Sequence, residues 1–425
     1  MGDNRMSNAN KMMLKKNNTE MADLLKLGHH MTRVENKAKK RRRLVRKQRE
    51  DEGHTFCLPE EILFNILLLI PAQHLHEVVR FVSKQLFDIV IDPVFVRLHR
   101  QMSTPGFLIQ NRNEKYKLSY IEPDSTRLKV TEIQIPLRAK IMGSFNGLVL
   151  LHDLTNPHIY HVMNPATKVN FTLPPLTGLC DINSRDSPAG FGLTSSGCYK
   201  VVHVSAKASS KCVRIRVFTL GVDTAWRFID LRDISIGAKV KNAWMCVPRF
   251  IAGFIYWSNC AHFDGIALDV DTEIIYQFSP PEDLVRYGTP IWFLSTGTCL
   301  ALLRQCQGDI WRLWKLTCVK TGEWTEMAGI NIQPVLSRVD KMFYPSKINS
   351  VWPVWLINGD FWFYRRVDEE FVVVRYNLVN ESFSFFPITH VCPDTLIHPH
   401  VHTLLSTKNC KPAIKYSSID DYNNY

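Results

Sequence analysis

Leu58 to His99 reads LPEEILFNILLLIPAQHLHEVVRFVSKQLFDIVIDPVFVRLH, and the organisation of the chain follows from how this stretch disposes of its apolar side chains. Pro59 suits a first helical position, because the N–H it lacks would have no partner there. Glu60 and Glu61 set negative charge against the positive end of the helix. Ile62, Leu63, Phe64, Ile66, Leu67, Leu68, Leu69 and Ile70 follow, with Asn65 as the one polar residue among them, and Pro71 ends the run. A helix apolar all round has to be covered all round. Helical patterns at Leu75–Val82 and Leu86–Ile91, with Ser83 as N-cap of the second, supply part of that cover. Asp92-Pro93 then restarts the chain as cap and first-turn proline, backed by Val94, Phe95 and Leu98. Helices this few and this short do not close a core alone, so apolar surface is left over for a partner. The apolar run is about half the length of a bilayer span.

From about residue 105 the helical spacing gives way to short runs rich in Val, Ile, Phe, Tyr and Trp. Gly147–Leu151, Tyr199–Val204, Val213–Leu220, Phe254–Trp257, Phe361–Tyr364 and Phe371–Tyr376 are examples, separated by turn residues. Val213-Arg-Ile-Arg-Val217 alternates cleanly, which predicts a strand with one wet face. The runs repeat around turns of one flavour: Asn164-Pro-Ala-Thr167, Gly221-Val-Asp-Thr224, Asp269-Val-Asp-Thr272, Val319-Lys-Thr321 and Leu378-Val-Asn380. Residues 167, 224, 272, 321 and 380 are separated by 57, 48, 49 and 59 positions, and Glu122-Pro-Asp-Ser125 is a weaker first copy. Asn146-Gly147, Ala252-Gly253 and Asn358-Gly359 lie 106 positions apart, two repeats each time. Strand-only repeats of this length read as propeller blades, which stack around an axis because one blade does not hide both its faces. The count is about six, with His400–Leu405 completing the first blade.

Two resemblances rest on these residues. The helical stretch resembles an F-box: Leu58-Pro59 with acids, Ile66-Leu67, Pro71, Val82-Ser83-Lys84, and Asp92-Pro93 with Phe95 and His99. Leu86 stands where many members of that family carry Trp. The remainder resembles plant F-box-associated, kelch-related domains at Gly143-Ser-Phe-Asn-Gly147-Leu, Asn164-Pro-Ala-Thr167, Leu173-Pro-Pro175, Gly190-Phe-Gly192 with Tyr199-Lys-Val-Val202, and Trp226. The fold class this implies is an α+β multidomain chain, a short helical F-box followed by an all-β propeller. The expected boundaries are a basic arm at 1–52, the F-box at 53–104, the propeller at 105–416 and a tail at 417–425.

The resemblance implies a substrate-recognition subunit of a Skp1–cullin–F-box ubiquitin ligase. Leu58, Pro59, Ile62, Ile66, Leu67, Pro71, Val82 and Leu86 would meet a Skp1-like adaptor, with cullin and RING subunits reached through it. The propeller would recruit a target protein whose identity the sequence does not give, and the chain itself would be non-catalytic. The alternatives are a propeller-fold metal-dependent enzyme and a nuclear scaffold that binds nucleic acid through the basic arm.

Charge and chemistry bear on those alternatives. The net charge of +12 is concentrated: residues 1–50 hold fifteen Lys/Arg and five Asp/Glu, a balance of +10, and the rest is close to neutral. A nucleic-acid-binding domain would carry its basic excess on the folded part, so nucleic acid is not an expected partner. Lys39, Lys40, Arg41, Arg42 and Arg43 instead form a nuclear-import pattern in an arm too polar to fold alone. The nucleus is the expected compartment, with the cytoplasm second. The eleven cysteines are odd in number and show no CxxC pair, which fits reduced thiols better than a disulfide framework or a zinc site. His398, His400 and His402 alternate near His390 and Cys392, but Pro399 interrupts them and no carboxylate is placed to orient the rings. They read as closing-strand histidines rather than metal ligands. No P-loop, dinucleotide fingerprint, nucleophile elbow or HExxH motif occurs, so neither a catalytic residue nor a cofactor is expected, and no membrane association. Trp244, Trp257, Trp292, Trp311, Trp314, Trp352, Trp355 and Trp362 read mostly as core.

Overall fold

A computed structural model describes residues 58–406 apart from 112, 124–127, 178–188, 207–212, 230–247, 259–263, 282–283, 285–290, 306–309, 328, 333–334, 336, 338–350, 358, 368–369 and 389–395. Among the described residues four α-helices come first: α1 Glu60–Leu68, α2 Ala72–Glu77, α3 Lys84–Val90 and α4 Pro93–Met102, with a 3-10 turn at Val79–Phe81 between α2 and α3. Their starts are set by local chemistry. The Ser83 hydroxyl accepts the Leu86 N–H at 3.2 Å. One Asp92 carboxylate oxygen accepts the N–H groups of Val94 at 2.7 Å and Phe95 at 3.2 Å, satisfying donors that a helix start otherwise leaves unpaired.

Beyond Gly106 the strands among the described residues are arranged as six antiparallel sheets. Blade 2 is Ala139–Phe145, Leu148–Asp153, Tyr160–Asn164 and Val169–Thr172. Blade 3 is Ala189–Leu193, Tyr199–Ala206, Val213–Thr219 and Arg227–Ile229. Blade 4 is Arg249–Ile251, Phe254–Ser258, Gly265–Asp269 and Ile275–Phe278. Blade 5 is Ile291–Ser295, Leu300–Gln305, Ile310–Cys318 and Glu323–Glu326, with Ile330–Asn331 added beside its third strand. Blade 6 is Val351–Ile357, Asp360–Val367, Glu370–Asn377 and Phe383–Ile388. Blade 1 joins both ends of the domain: Leu396–His400 supplies its first strand and pairs with Gly106–Gln110, followed by Lys117–Pro123 and Leu128–Gln134. The ring is therefore a six-bladed propeller, as the sequence predicts. The closing strand is Leu396–His400 rather than His400–Leu405, so the expected segment begins where the strand ends.

Six apolar clusters hold the ring, each at a seam between consecutive blades. Leu118 and Tyr120 of blade 1 meet Ile141 and Leu151 of blade 2, and Val202 and Val217 of blade 3 meet Trp257 and Ile266 of blade 4. The last seam, between blades 6 and 1, packs Trp362 and Phe386 on Phe107 and Ile109. Because each blade is sandwiched between neighbours, both faces of its middle strands are covered. This corrects the one-wet-face reading of Val213–Val217: Arg216 is 2% exposed. Its guanidinium donates to the Ser205 hydroxyl and the Thr177 carbonyl and lies 4.8 Å from the Phe228 ring centre.

The repeating turns occupy one place in the blade. Thr167, Thr224, Thr272, Thr321 and Asn380 all fall between third and fourth strands. Ser125 falls at the same point of blade 1, outside the described residues. Asn146-Gly147 and Ala252-Gly253 are two-residue turns between first and second strands with φ of 52°, 79°, 48° and 89°. Positive φ at both central residues marks the hairpin turn that matches strand twist. Alternation of antiparallel strands puts these two kinds of turn on one face of the ring. The fourth strands therefore end at the opposite face.

Candidate docking surface

The helical stretch seals only part of its apolar side chains. Leu67, Leu75 and Phe95 are 2%, 0% and 0% exposed. Phe64 packs edge-on to Phe95, ring centres 5.1 Å apart. His99 donates its Nε2–H to the Ile70 carbonyl at 2.8 Å. Burial lowers the pKa of this imidazole and the carbonyl only partly offsets it, so the ring is a neutral strut between α1 and α4. Leu67 and Phe64 thus line the inner side of α1.

The other side of α1 is bare. Ile62, Ile66 and Leu69 recur at helical spacing and are exposed, Leu69 to 75%. Val78, Phe81, Val82, Phe87 and Ile91, from the end of α2 to the end of α3, are exposed as well. Ten of the nineteen large apolar side chains that stand exposed among the described residues lie between Leu58 and Met102. Exposed apolar residues scattered singly need no explanation, but a concentration of this kind marks an interaction surface.

Of the residues singled out from sequence, Leu58, Pro59, Ile62, Ile66, Pro71 and Val82 are exposed and Leu86 is half-buried. Leu67 is buried and supports the surface from within. Leu69, Val78, Phe81, Phe87 and Ile91 were not singled out. The signal for Leu69 was its spacing from Ile62 and Ile66, which puts it on their stripe and off the Leu67 stripe. Lys39–Arg43, His390, Cys392 and Trp244 lie outside the described residues. The Glu77 carboxylate of α2 meets Lys168 at 2.8 Å, in the turn before the fourth strand of blade 2, and this contact holds the Glu77 pKa below its ordinary value. α2 therefore borders the face of the ring that carries the short turns.

The histidines of the closing strand are structural. His400 is 2% exposed, its Nδ1 2.8 Å from the Ser144 hydroxyl and its Nε2 3.1 Å from His402 Nδ1. The His402 ring lies 3.8 Å from that of Tyr120. Burial pushes His398 and His402 down to about 4 and His400 well below the ordinary value. Among the described residues no group of three or more His, Cys, Asp or Glu is arranged to hold a metal ion. No helix among them is long and apolar enough to cross a membrane. Trp257, Trp311, Trp314 and Trp362 are core, whereas Trp352 is exposed and stacks on Tyr364.

These features define a six-bladed propeller preceded by a helical module with a bare apolar face. The family model described as the F-box associated beta propeller domain matches residues 104–409, and the chain belongs to that family. Three proteins of Arabidopsis thaliana named as F-box proteins are similar to it. The first is 26% identical over 227 residues, 50% of this chain and 46% of the relative. The second is 22% identical over 314 residues, 69% and 76%. The third is 28% identical over 221 residues, 48% and 52%. The matches thus span about half the length of two of these relatives. Among solved structures, TolB from Acinetobacter baumannii aligns at 8% identity and TM-score 0.36 over 76% of this chain and 71% of that one. The Aleuria aurantia lectin aligns at 13% and 0.37 over 68% and 97%.

Proposed function

We propose that this chain is the substrate-recognition subunit of a Skp1–cullin–F-box ubiquitin ligase. The observation that carries the reading is the bare stripe Ile62, Ile66 and Leu69 together with Val78, Phe81 and Val82, backed by a sealed interior of Leu67, Leu75, Phe95 and His99. A module whose core is complete and whose outer face stays apolar is built to bury that face on another protein. The partner is a Skp1-like adaptor, with cullin and RING subunits beyond it. The propeller recruits the target protein in this reading. The chain performs no bond chemistry; it raises the local concentration of the target near the ubiquitin-carrying enzyme. The basic run Lys39–Arg43 serves nuclear import in this reading. Co-purification with a Skp1-like adaptor tests it: wild type forms a complex, and Ile66→Asp with Leu69→Asp does not. Equal complex formation by the double variant would overturn it. Replacing all five basic residues by Ala shifts a fluorescent fusion from nucleus to cytoplasm, and an unchanged distribution would remove the import role.

A further inference from the structure

Asn164 opens the turn between the third and fourth strands of blade 2, and the corresponding turns of blades 4 and 6 open on Asp269 and Asn377. All three use one side-chain oxygen in the same way. Asn164 Oδ1 accepts the N–H groups of Ala166 at 2.9 Å and Thr167 at 3.4 Å. Asp269 Oδ1 accepts those of Asp271 at 2.9 Å and Thr272 at 3.1 Å. Asn377 Oδ1 accepts those of Val379 at 3.0 Å and Asn380 at 3.1 Å. A residue in the left-handed region follows each time: Lys168 at φ 58°, Glu273 at 61° and Glu381 at 56°. The turn therefore needs an acceptor, and in blade 4 a carboxylate provides it.

The second side-chain atom is what differs. Asn377 Nδ2 donates to Asp360 Oδ1 at 2.8 Å within its own blade. Asn164 Nδ2 donates to the carbonyls of Thr403 at 2.9 Å and Leu405 at 2.8 Å. Those carbonyls belong to the segment that runs on from the ring-closing strand. Asn164 and Thr403 are both 0% exposed. The Thr403 hydroxyl donates to the Asn146 carbonyl at 3.2 Å, and Gly147 backs so closely on the Thr403 side chain that a Cβ there would collide with it. Among the described residues the closing strand pairs with Gly106–Gln110 alone, and at Pro399, opposite Phe107, it has no N–H to donate. Like the first strand of every blade it has one neighbour in its sheet, and the contacts of Thr403 and Asn164 give it a second anchor.

We propose that Thr403–Leu405 is a strap that locks the propeller ring onto blade 2, and that the Asn164 amide fastens it. This explains why asparagine stands in the blade 2 turn where blade 4 manages with aspartate. Lys168, the last residue of the fastening turn, also pairs with Glu77 of α2, so ring closure and the helical module meet at the same five residues. The proposal is independent of the adaptor reading.

Amide hydrogen exchange on the full chain tests it. Asn164→Asp keeps the acceptor that shapes the turn but turns a carboxylate oxygen onto two carbonyls. Exchange across 396–405 then accelerates by about 10-fold or more, while Ala166–Lys168 keep their wild-type rate. Asp269→Asn changes neither segment. Deleting 403–425 reproduces the faster exchange of 396–400 without touching the turn, and so decides the matter if Asn164→Asp does not fold. Wild-type exchange of 396–400 in either altered chain, or acceleration of that strand by Asp269→Asn, would overturn the strap.

Discussion

Truncating Ile66 and Leu69 to alanine separates docking from folding, because both face outward on a helix whose Leu67 faces in. Leu69 is 75% exposed and Ile66 43%. Complete burial of a Leu or Ile side chain is worth about 1.5–3 kcal/mol. Scaled by the fraction still open to a partner, Leu69 contributes roughly 1–2 kcal/mol on docking and Ile66 roughly 0.6–1.3 kcal/mol. Losing both weakens adaptor binding by about 2–3 kcal/mol, a rise in Kd of roughly 30- to 150-fold. Stability of the free chain stays within about 0.5 kcal/mol, the usual range for changes at exposed positions. Leu67→Ala does the reverse. Its side chain is 2% exposed, and removing such a group costs about 2–5 kcal/mol of stability. Calorimetric titration of a purified Skp1-like adaptor, run beside thermal unfolding of each variant, reads both quantities. The reasoning is refuted if the double variant keeps the wild-type Kd, or if it loses as much stability as Leu67→Ala.

Three further outcomes are expected. Asp92→Ala removes the acceptor for Val94 and Phe95 and costs about 1 kcal/mol in urea unfolding; no change would mean that α4 does not depend on its cap. Glu273 is paired with Arg227 and with Lys200 at 2.7 Å, and the Arg227 contact first of all holds its pKa down from 4.5 to about 2. A depressed carboxylate contributes its stability above the unfolded pKa and loses it as pH falls through the folded one. The Tm advantage of wild type over Glu273→Gln is therefore full at neutral pH and fades between 4.5 and about 2, and a constant difference across that window would contradict the pairing. His402, held from 6.5 down to about 4 mainly by burial, acts in a higher window. The unfolded chain binds its proton first, so stability falls as pH drops from 6.5 toward 4. His402→Phe keeps a ring against Tyr120 and flattens that slope in Tm against pH; an unaltered slope would exclude the imidazole as its source.

The parts of this fold that were legible in the sequence are those that local chemistry dictates. Ser83 and the pair Asp92-Pro93 announce helix starts because caps must be supplied within a residue or two. The blade period was visible in part because the turn before the fourth strand of blades 2, 4 and 6 uses a side-chain acceptor and a left-handed residue, which restricts what can stand at Asn164, Asp269 and Asn377. What depends on distant packing was not legible. Arg216 looks solvated beside Arg214, and only the neighbouring blade and Phe228 make its position interior. The closing strand was placed a few residues late because its pairing is with Gly106–Gln110, some 290 positions earlier by the register of His400 with Gly106. On α1, an unbroken apolar run does not reveal which stripe turns inward. That is settled by where Phe95 and His99 lie, which puts Leu67 in the core and leaves Leu69 exposed.

Hydroxyl-radical footprinting of the purified chain, with and without a Skp1-like adaptor, tests the central claim most directly. Leu69, Phe81 and Val82, all now exposed, lose most of their oxidation when the adaptor is added, while Phe228 and Val379 on the propeller react as before. Unchanged oxidation at the three helical residues, or protection confined to the propeller, would contradict it.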